Sequence, residues 1–297
     1  MSSPISQQEQ APKYAALSYC WGPQTARTLK TESHSLEDRL RGIRLEHFPK
    51  TIRDAVLVTR VPGLQYIWVD ALCIIQDDRT DWEMESVRMS DIYWNSYITI
   101  IPFESSSCYD GFLARPSVPT ADIPFRSSID PKVKGNLTLH SRDKWAIGIA
   151  PLFPLQDSVW RTRGWTFQEE QMSRRKLLFS KDRTMFMCAE TMEAETNADL
   201  NGHSYLELGG TGKRLGSVGG SDAFSGYLYS GDWDRPITKH NSWRLLTYAE
   251  DRLPALSGLA AAFHRGIPGD RYLAGHWQSH LYESLTWMPK QKQNITF

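Results

Sequence analysis

Two acidic residues of this sequence lie where carboxylates are unexpected. Glu85 comes three residues after Trp82 and four before Met89, so helical spacing puts its carboxylate on the apolar face of a predicted helix. Asp70 interrupts a run of almost entirely apolar residues, 66–75. A buried carboxylate is costly unless it is paired, hydrogen-bonded or placed at the rim of a pocket. In a pocket it can stabilise positive charge, so Glu85 and Asp70 are candidate catalytic residues.

Structural interpretations compete with both assignments. Glu85 can be a satisfied buried carboxylate that accepts hydrogen bonds from an arginine or from backbone N–H groups. Asp70 can tie down a neighbouring loop, either by capping a helix or by bonding to Arg53. The sequence leaves these alternatives open.

A second group of candidates stands at the end of the first apolar run, residues 14–20. Ser18, Trp21 and Gly22 lie where turn residues stop this predicted strand. Ser18 can line a crevice and Trp21 can stack on a flat ring, so the three residues are candidates for substrate binding. Packing of Trp21 in the core is the alternative interpretation.

A third group combines aromatic rings with charged and amide side chains in residues 160–171. Here Trp165, Gln168 and Glu169 are predicted to form, with Arg163, a hydrogen-bonded structural cluster that supports a site. A catalytic acid in this segment is the alternative interpretation. The chain shows no complete set of ligands at metal-site spacing, so no metal is expected.

Alternating strands and helices are predicted to position these candidates. Hydrophobic periodicity gives this order: strand 14–20, helix from Pro49, strand 66–75, helix 79–96 and strand 97–103. This alternation predicts an α/β fold in which helices flank a parallel sheet. Ligands of such sheets bind beyond the carboxyl ends of the strands, where Ser18 and Asp70 are expected to lie.

The remainder of the chain is predicted to be less regular. Residues 115–160 are rich in proline and read as an irregular insertion with short strands. Residues 176–179 and 184–189 are expected to form a strand pair, and residues 240–286 are mainly helical in pattern. The sheet is therefore expected to be followed by a helical region.

Three segments are predicted along the chain. They are a flexible tail (1–13), one α/β domain (14–175) and a mainly helical C-terminal extension (176–297). The extension contains a Gly/Ser-rich stretch around 207–222, which is expected to be a flexible loop.

Composition limits the possible partners and compartments. The 34 Lys and Arg residues balance the 34 Asp and Glu residues, so no overall positive field attracts nucleic acid or anionic lipid. The N-terminus lacks the apolar core of a signal peptide, and no apolar stretch approaches the roughly 20 residues that span a bilayer. We therefore expect a cytoplasmic protein with no membrane span and no nucleic-acid partner.

Five motifs together resemble a known family. In chain order they are ALSYCWG, FPKTIRDAV, YIWVDALCIIQDD, DWEMESVRMSDIY and TRGWTFQEE. This series resembles the fungal heterokaryon-incompatibility (HET) domain over about residues 14–175. Later segments resemble the region that follows the domain in many larger fungal HET proteins. The chain is accordingly expected to be a short member of the family or a piece of a longer protein.

The resemblance implies a function and a fold. HET domains act in vegetative incompatibility, where fusion of unlike fungal cells triggers programmed cell death. They are similar to TIR domains, which have a flavodoxin-like fold, and some TIR domains cleave NAD with a glutamate on a helix beside the sheet. The resemblance therefore implies that NAD is a possible substrate, that no other cofactor is needed, and that Glu85 is the glutamate.

A non-catalytic role is the alternative that the sequence leaves open. The domain would then recruit other incompatibility proteins or associate with itself, with Trp94 and Trp160 as exposed anchors. A degenerate, inactive member of the family is a third possibility. Loss of NAD cleavage or of cell death on replacement of Glu85 would separate these alternatives.

Overall fold

The computed structural model describes eight parts of the chain. They are residues 11–23, 28–115, 120–140, 158–181, 184–194, 233, 244–265 and 267–285. Residues 1–10 of the predicted tail and the predicted Gly/Ser-rich loop at 207–222 lie outside these ranges.

A mainly parallel sheet forms the centre of the protein. The strands of the described residues are β1 (Tyr14–Leu17), β2 (Tyr66–Trp68), β3 (Ile98–Pro102), β4 (Thr120–Arg126), β5 (Lys134–His140), β6 (Arg175–Phe179), β7 (Thr184–Cys188), β8 (Met192–Ala194), β9 (Tyr272–Leu273) and β10 (His276–Trp277). Within the described ranges the main sheet has the order β2-β1-β3-β6-β7-β8. Its first four strands are parallel, and β7 and β8 extend it in antiparallel pairing.

Helices lie on both faces of this sheet. The helices of the described ranges are α1 (Leu36–Arg41), α2 (Lys50–Arg60), α3 (Asp70–Cys73), α4 (Arg79–Asn95), α5 (Val159–Thr162), α6 (Trp165–Met172), α7 (Pro254–His264) and α8 (Leu281–Ser284). Those that pack against the sheet are α2 on one face and α4, α6 and α7 on the other. The four parallel strands stand in the order β2-β1-β3-β6. Numbered among themselves along the chain, they have the order 2-1-3-4, which is the flavodoxin-like order. The predicted α/β fold, with helices flanking a parallel sheet, is confirmed.

Local sequence explains where the two longest predicted helices begin. Helix α2 starts directly after Pro49, whose missing N–H and fixed φ suit the first turn of a helix. Helix α4 is capped by Asp78, whose carboxylate accepts hydrogen bonds from the N–H groups of Thr80 at 2.8 Å and Asp81 at 3.2 Å. Each of these helices connects two parallel strands of the sheet, α2 from β1 to β2 and α4 from β2 to β3.

The residues of β1 alternate between two cores. Ala15 and Leu17 pack in an apolar cluster with residues of α2, whereas Ala16 packs in a second cluster with residues of α4, α6 and α7. By the same alternation Ser18 lies on the side of α4 and α6. The hydroxyl of Ser18 is therefore buried between the sheet and the helices on this side.

Helix α7 belongs to this helical layer. Its buried face, Leu256, Leu259 and Phe263, packs in the same cluster as Met89 of α4 and Phe167 of α6. Burying each such side chain contributes roughly 1.5–3 kcal/mol. The C-terminal region thus contributes directly to the core that holds α4 and α6 in place.

Two predicted elements are wrong in detail, and the short strands expected in the insertion are more regular than predicted. The run 66–75 is not one strand, because the strand ends at Trp68 and the chain turns into the short helix α3 at Asp70. Residues 120–140 form a regular antiparallel hairpin of β4 and β5 within the insertion. Residues 272–277, predicted as helical, form the small antiparallel pair of β9 and β10. The strand pair β6 and β7 is confirmed.

No helix in the described part of the chain has both the length and the apolar character needed to span a bilayer.

Candidate functional site

Trp21 and Asp70 are hydrogen-bonded to each other beyond the carboxyl ends of two neighbouring parallel strands, and Ser18 stands at the end of the first of these strands. Ser18 directly follows β1, and Asp70 comes two residues after the end of β2. The indole Nε1 of Trp21 donates a hydrogen bond to Oδ2 of Asp70 at 2.8 Å. Because β1 and β2 are parallel, the chain brings these residues to the edge of the sheet where α/β proteins bind ligands.

The Asp70 carboxylate is held on two sides. Its Oδ1 accepts the backbone N–H of Ala71 at 2.7 Å, as suits an acidic residue in the first turn of a helix. Burial raises its pKa above the usual range, although Arg163 and the indole of Trp21 act in the opposite direction. The interpretation of Asp70 as a loop anchor is supported by the bond to Trp21, and no bond to Arg53 is present in the described residues.

Ser18 contacts a second, deeper carboxylate. Its hydroxyl donates to Oε2 of Glu169 and accepts a hydrogen bond from Nε1 of Trp160 at 2.8 Å. Ser18 and Trp160 are completely buried, and Glu169 is only 3% exposed. The sheet and α6 are therefore joined through a polar contact inside the protein.

Arg163 is a third charged group of this cluster. Its guanidinium donates to the backbone carbonyl of Tyr19 and acts electrostatically on both Asp70 and Glu169. Burial alone would lower the pKa of Arg163, but the Glu169 and Asp70 carboxylates raise it. Arg163 therefore stays a cation beside two acidic groups.

The ionisation of Glu169 is strongly affected by this environment. Burial raises its pKa to about 7, with a further upward contribution from Asp70, while Arg163 and the hydrogen bond from Ser18 hold it lower. Desolvation disfavours the charged form of any buried carboxyl group. Glu169 consequently exchanges its proton near neutral pH.

Glu85 lies at the edge of this region. The buried stripe of α4 is formed by Ser86, Met89, Ser90 and Tyr93. Glu85 is partly buried, as are Trp82 and Ile92 of the predicted face, and it stands at the flank of the fully buried stripe. Its side chain is 19% exposed and pairs with Arg88 at 3.2 Å.

Cys73 links Glu85 to the candidate site. The Cys73 side chain is exposed, and desolvation by neighbouring atoms raises the pKa of its thiol. The carboxylates of Asp70 and Glu85 both add to this increase. The thiol of Cys73 is therefore influenced electrostatically by both candidate carboxylates.

Gly22 is required by its backbone and its surroundings. Its φ of +79° lies in the left-handed region, and a Cβ at this position would come within 2.3 Å of Cβ of Ser107. The carbonyl of Trp21 accepts the N–H of Cys108 at 3.2 Å. Gly22 thus allows the turn after β1 to pack against the loop that follows β3.

Trp165 and Gln168 connect α6 to the C-terminal region. Nε1 of Trp165 donates to Oδ2 of Asp251 at 3.1 Å, and Oε1 of Gln168 accepts the N–H of Gly258 at 2.9 Å. Glu169, on the same helix, points to Ser18 instead. One short helix therefore connects β1 on one side and α7 on the other.

Sequence reasoning did not identify two of the groups around Ser18. Tyr93 is buried and donates its hydroxyl to the carbonyl of Leu17 at 3.2 Å. Trp160 was predicted as an exposed anchor, which is wrong because the residue is completely buried. The sequence carried one indication of these roles. A buried tyrosine hydroxyl or tryptophan N–H needs a hydrogen-bond partner, so Tyr93 and Trp160 could have been expected to bond to polar groups nearby.

The fold and this cluster define an α/β protein with a flavodoxin-like parallel sheet and an acidic polar site at its carboxyl edge. Residues 14–169, more than half of the chain, match the heterokaryon incompatibility protein (HET) family, and the protein belongs to this family. No curated protein and no solved structure matches the chain.

Proposed function

We propose that this protein acts in the cytoplasm of a fungus as a trigger of cell death after non-self recognition, and that it does so by cleaving NAD. One observation carries the proposal. A carboxylate, an aromatic ring and a guanidinium, from Asp70, Trp21 and Arg163, gather at the carboxyl ends of parallel strands. These groups match the chemistry of a nucleotide that contains a flat cationic ring and ribose hydroxyls.

The proposed reaction breaks the bond between nicotinamide and ribose. Nicotinamide leaves with the bonding electron pair, an oxocarbenium-like ribose cation develops, and water adds to C1′ with loss of a proton. The products are nicotinamide, ADP-ribose and a proton. Carboxylates stabilise such a transition state by their charge and by holding the sugar hydroxyls.

Residues of the site have distinct parts in this reaction. Asp70 is half-buried and fixed by Trp21 and Ala71, so its carboxylate is preorganised to face a developing positive charge. Glu85 is partly exposed on α4, so its carboxylate can accept a hydrogen bond from a ribose hydroxyl. Trp21 is partly buried, and the exposed part of its indole would stack on the nicotinamide ring.

NAD consumption by the purified full chain tests the proposal. The protein is concentrated or clustered, and NAD and nicotinamide are followed by chromatography. The variants Glu85→Gln and Asp70→Asn retain the shape of each side chain and remove its charge. We expect at least a tenfold loss of turnover in each, because one charge-stabilising group is worth about 10²–10³ in rate in comparable sites.

A matched control distinguishes loss of chemistry from loss of folding. Glu83 lies on the same helix as Glu85, is exposed and pairs with Arg79 at 2.8 Å. Glu83→Gln is expected to retain full turnover, and all variants are compared by thermal melting. Intact NAD after incubation with folded, clustered wild-type protein would contradict the proposal.

A non-catalytic function is the second candidate, and the hairpin of β4 and β5 favours it. Alternation puts Ile123, Phe125, Val133 and Leu137 on one face, and all four side chains are exposed. A two-stranded hairpin with an apolar face is only marginally stable alone and commonly marks an interaction surface. We propose self-association of two copies through this face as the alternative.

Light scattering on the full chain tests this second candidate. Phe125→Asp places a charge on the apolar face, whereas Asp122→Asn changes the opposite face. Self-association predicts that only the first substitution lowers the molar mass in solution. A wild-type protein that stays monomeric up to high concentration would exclude it.

A further inference from the structure

We infer that Glu169 is a positioning residue whose proton controls the charge of the candidate site. It acts on Asp70 and on the end of β1 through Ser18 and Arg163. This inference deepens the proposed function by adding regulation of the same site. The alternative is that Glu169 only fastens α6 to the sheet and has no influence on the residues at the sheet edge.

The contacts of Glu169 reach the site by two routes. Through its side chain it accepts the hydroxyl of Ser18, and Ser18 in turn accepts the indole N–H of Trp160 at 2.8 Å. The backbone N–H of Ser18 donates to the carbonyl of Ile100 at 3.0 Å, which fixes the residue at the end of the strand. A change at Glu169 is therefore transmitted directly to the end of β1.

The second route is electrostatic. Charged and titratable groups from every neighbouring element face Glu169: Tyr19 and Cys20 after β1, Asp70 of α3, Tyr93 of α4, Arg163 before α6 and Arg244 from the C-terminal region. Among them Arg163 interacts with both Glu169 and Asp70. The Arg163 guanidinium therefore interacts with two carboxylates, the deeply buried one of Glu169 and the half-buried one of Asp70.

Protonation of Glu169 changes the number of ionised carboxylates that interact with Arg163, and with it the net charge of the site. When Glu169 is neutral, Arg163 has only Asp70 as a carboxylate partner, and the trio of Arg163, Asp70 and Glu169 has no net charge. When Glu169 is ionised, the same trio carries a net charge of about −1. A negative site favours a cationic ring, so the ionised form is the one that binds the pyridinium of NAD.

The protonation equilibrium of Glu169 falls in the pH range of a cell. Burial places the pKa of Glu169 at about 7, so both forms are populated near neutral pH. The Ser18 hydroxyl lowers that pKa by donating to the ionised form. Mild acidification would therefore neutralise the site without unfolding the protein.

The direct experiment is a pH titration of the full chain without any ligand. Carbon-13 NMR of labelled glutamate carboxyl groups follows Glu169, and tryptophan fluorescence follows Trp160, whose indole is bonded to Ser18. We expect one glutamate with a midpoint near neutral pH, a fluorescence change with the same midpoint, and loss of both in Glu169→Gln. Glu83→Gln is the matched control and should change neither.

A second variant keeps the test decisive if Glu169→Gln fails to fold. Ser18→Ala removes the hydrogen bond to the ionised form, so the midpoint should rise by about one pH unit at most. A glutamate midpoint near the ordinary value, or an unchanged midpoint in Ser18→Ala, would overturn the inference.

NAD turnover separates this inference from the proposed function. If the wild type cleaves NAD, its turnover should rise with pH through neutrality, and this rise should be absent in Glu169→Gln. A pH profile that is unchanged in Glu169→Gln would overturn the inference while the proposed function stands. If NAD stays intact at every pH, the proposed function fails, and the ligand-free titrations still decide the role of Glu169.

Discussion

The hydroxyl of Ser18 donates a hydrogen bond to the carboxylate of Glu169, which follows it in the chain by 151 positions. This contact joins the first strand of the sheet to α6 and is completed by the indole of Trp160. Buried polar groups are stable only when each has a partner. The Ser18–Glu169 contact is therefore a specific constraint on how α6 docks against the sheet.

The stability of the protein is expected to decrease as the pH rises towards neutrality, because of Glu169. Its pKa is about 7 in the folded protein and 4.5 ordinarily. Between these values the unfolded chain has released the proton and the folded protein still holds it, so the free energy of unfolding falls with rising pH. The change is about 3 kcal/mol, at about 1.4 kcal/mol for each unit of pKa.

Urea unfolding at a series of pH values measures this contribution. Glu169→Gln should remove the decrease, because glutamine has no proton to release. The difference between wild type and variant therefore depends on pH in the predicted direction. Parallel curves for the two proteins across this range would show that Glu169 titrates normally.

The turn after β1 gives a second prediction. Gly22 and Gly63 both have φ near +80°, but only Gly22 is crowded, by Ser107. Gly63→Ala should cost about 1–2 kcal/mol from the left-handed backbone alone. Gly22→Ala should cost about 1–3 kcal/mol more, because the added methyl group forces the two loops apart. Equal losses in urea unfolding would argue against tight packing at Gly22.

Local patterns predicted much of the fold. Helices α2 and α4 and the parallel strands β1 and β3 follow from periodicity, Pro49 and the turn residues. The end of β2 could not be read in this way, because residues 66–75 are apolar both in the strand and in the following helix. Only the carboxylate of Asp70, which favours the first turn of a helix, indicated the change.

The candidate site was only partly predictable. Ser18, Trp21 and Asp70 were expected at the carboxyl ends of parallel strands, and the structure places them there. The partnership of Ser18 with Glu169 was not predictable, since it depends on the packing of elements far apart in the chain. Helical spacing predicted the face of Glu85 but not its degree of burial. The next residue, Ser86, is buried, whereas Glu85 is partly exposed at the flank of α4.

Trp21 is predicted to control the ionisation of Asp70. Trp21→Phe removes the N–H that donates to Oδ2 at 2.8 Å, so the pKa of Asp70 should rise further above its usual range. The folded protein should lose about 2 kcal/mol at neutral pH, the usual value for a hydrogen bond to a charged group. The loss should be smaller in acid, where Asp70 is protonated.

Trp165→Phe is the matched control for this substitution. It removes a comparable bond, from Nε1 to Asp251 at 3.1 Å, at a place away from Asp70. NMR titration of Asp70 should be shifted by Trp21→Phe and unchanged by Trp165→Phe. A shift of the same size in both variants would mean that general loosening of the protein, and not the lost bond, changes the pKa of Asp70.

The close approach of α7 to α4 gives the last prediction. Gly258 lies within α7, where alanine would ordinarily stabilise a helix by about 1 kcal/mol. Here a Cβ would come within 2.1 Å of Cβ of Ser90 and within 2.8 Å of Oε1 of Gln168. Gly258→Ala should therefore destabilise the protein by about 1–3 kcal/mol, because α7 must move away from α4.

A double-mutant cycle shows whether this contact is the cause. Ser90→Gly removes the opposing Cβ, so the loss caused by Gly258→Ala should be smaller in that background by about 0.5–3 kcal/mol. Because α7 and α4 share the core that also holds α6, the weakened packing should lower the melting temperature of the whole domain and not of the C-terminal region alone. Additive effects of the two substitutions would place α7 farther from α4 than the structure does.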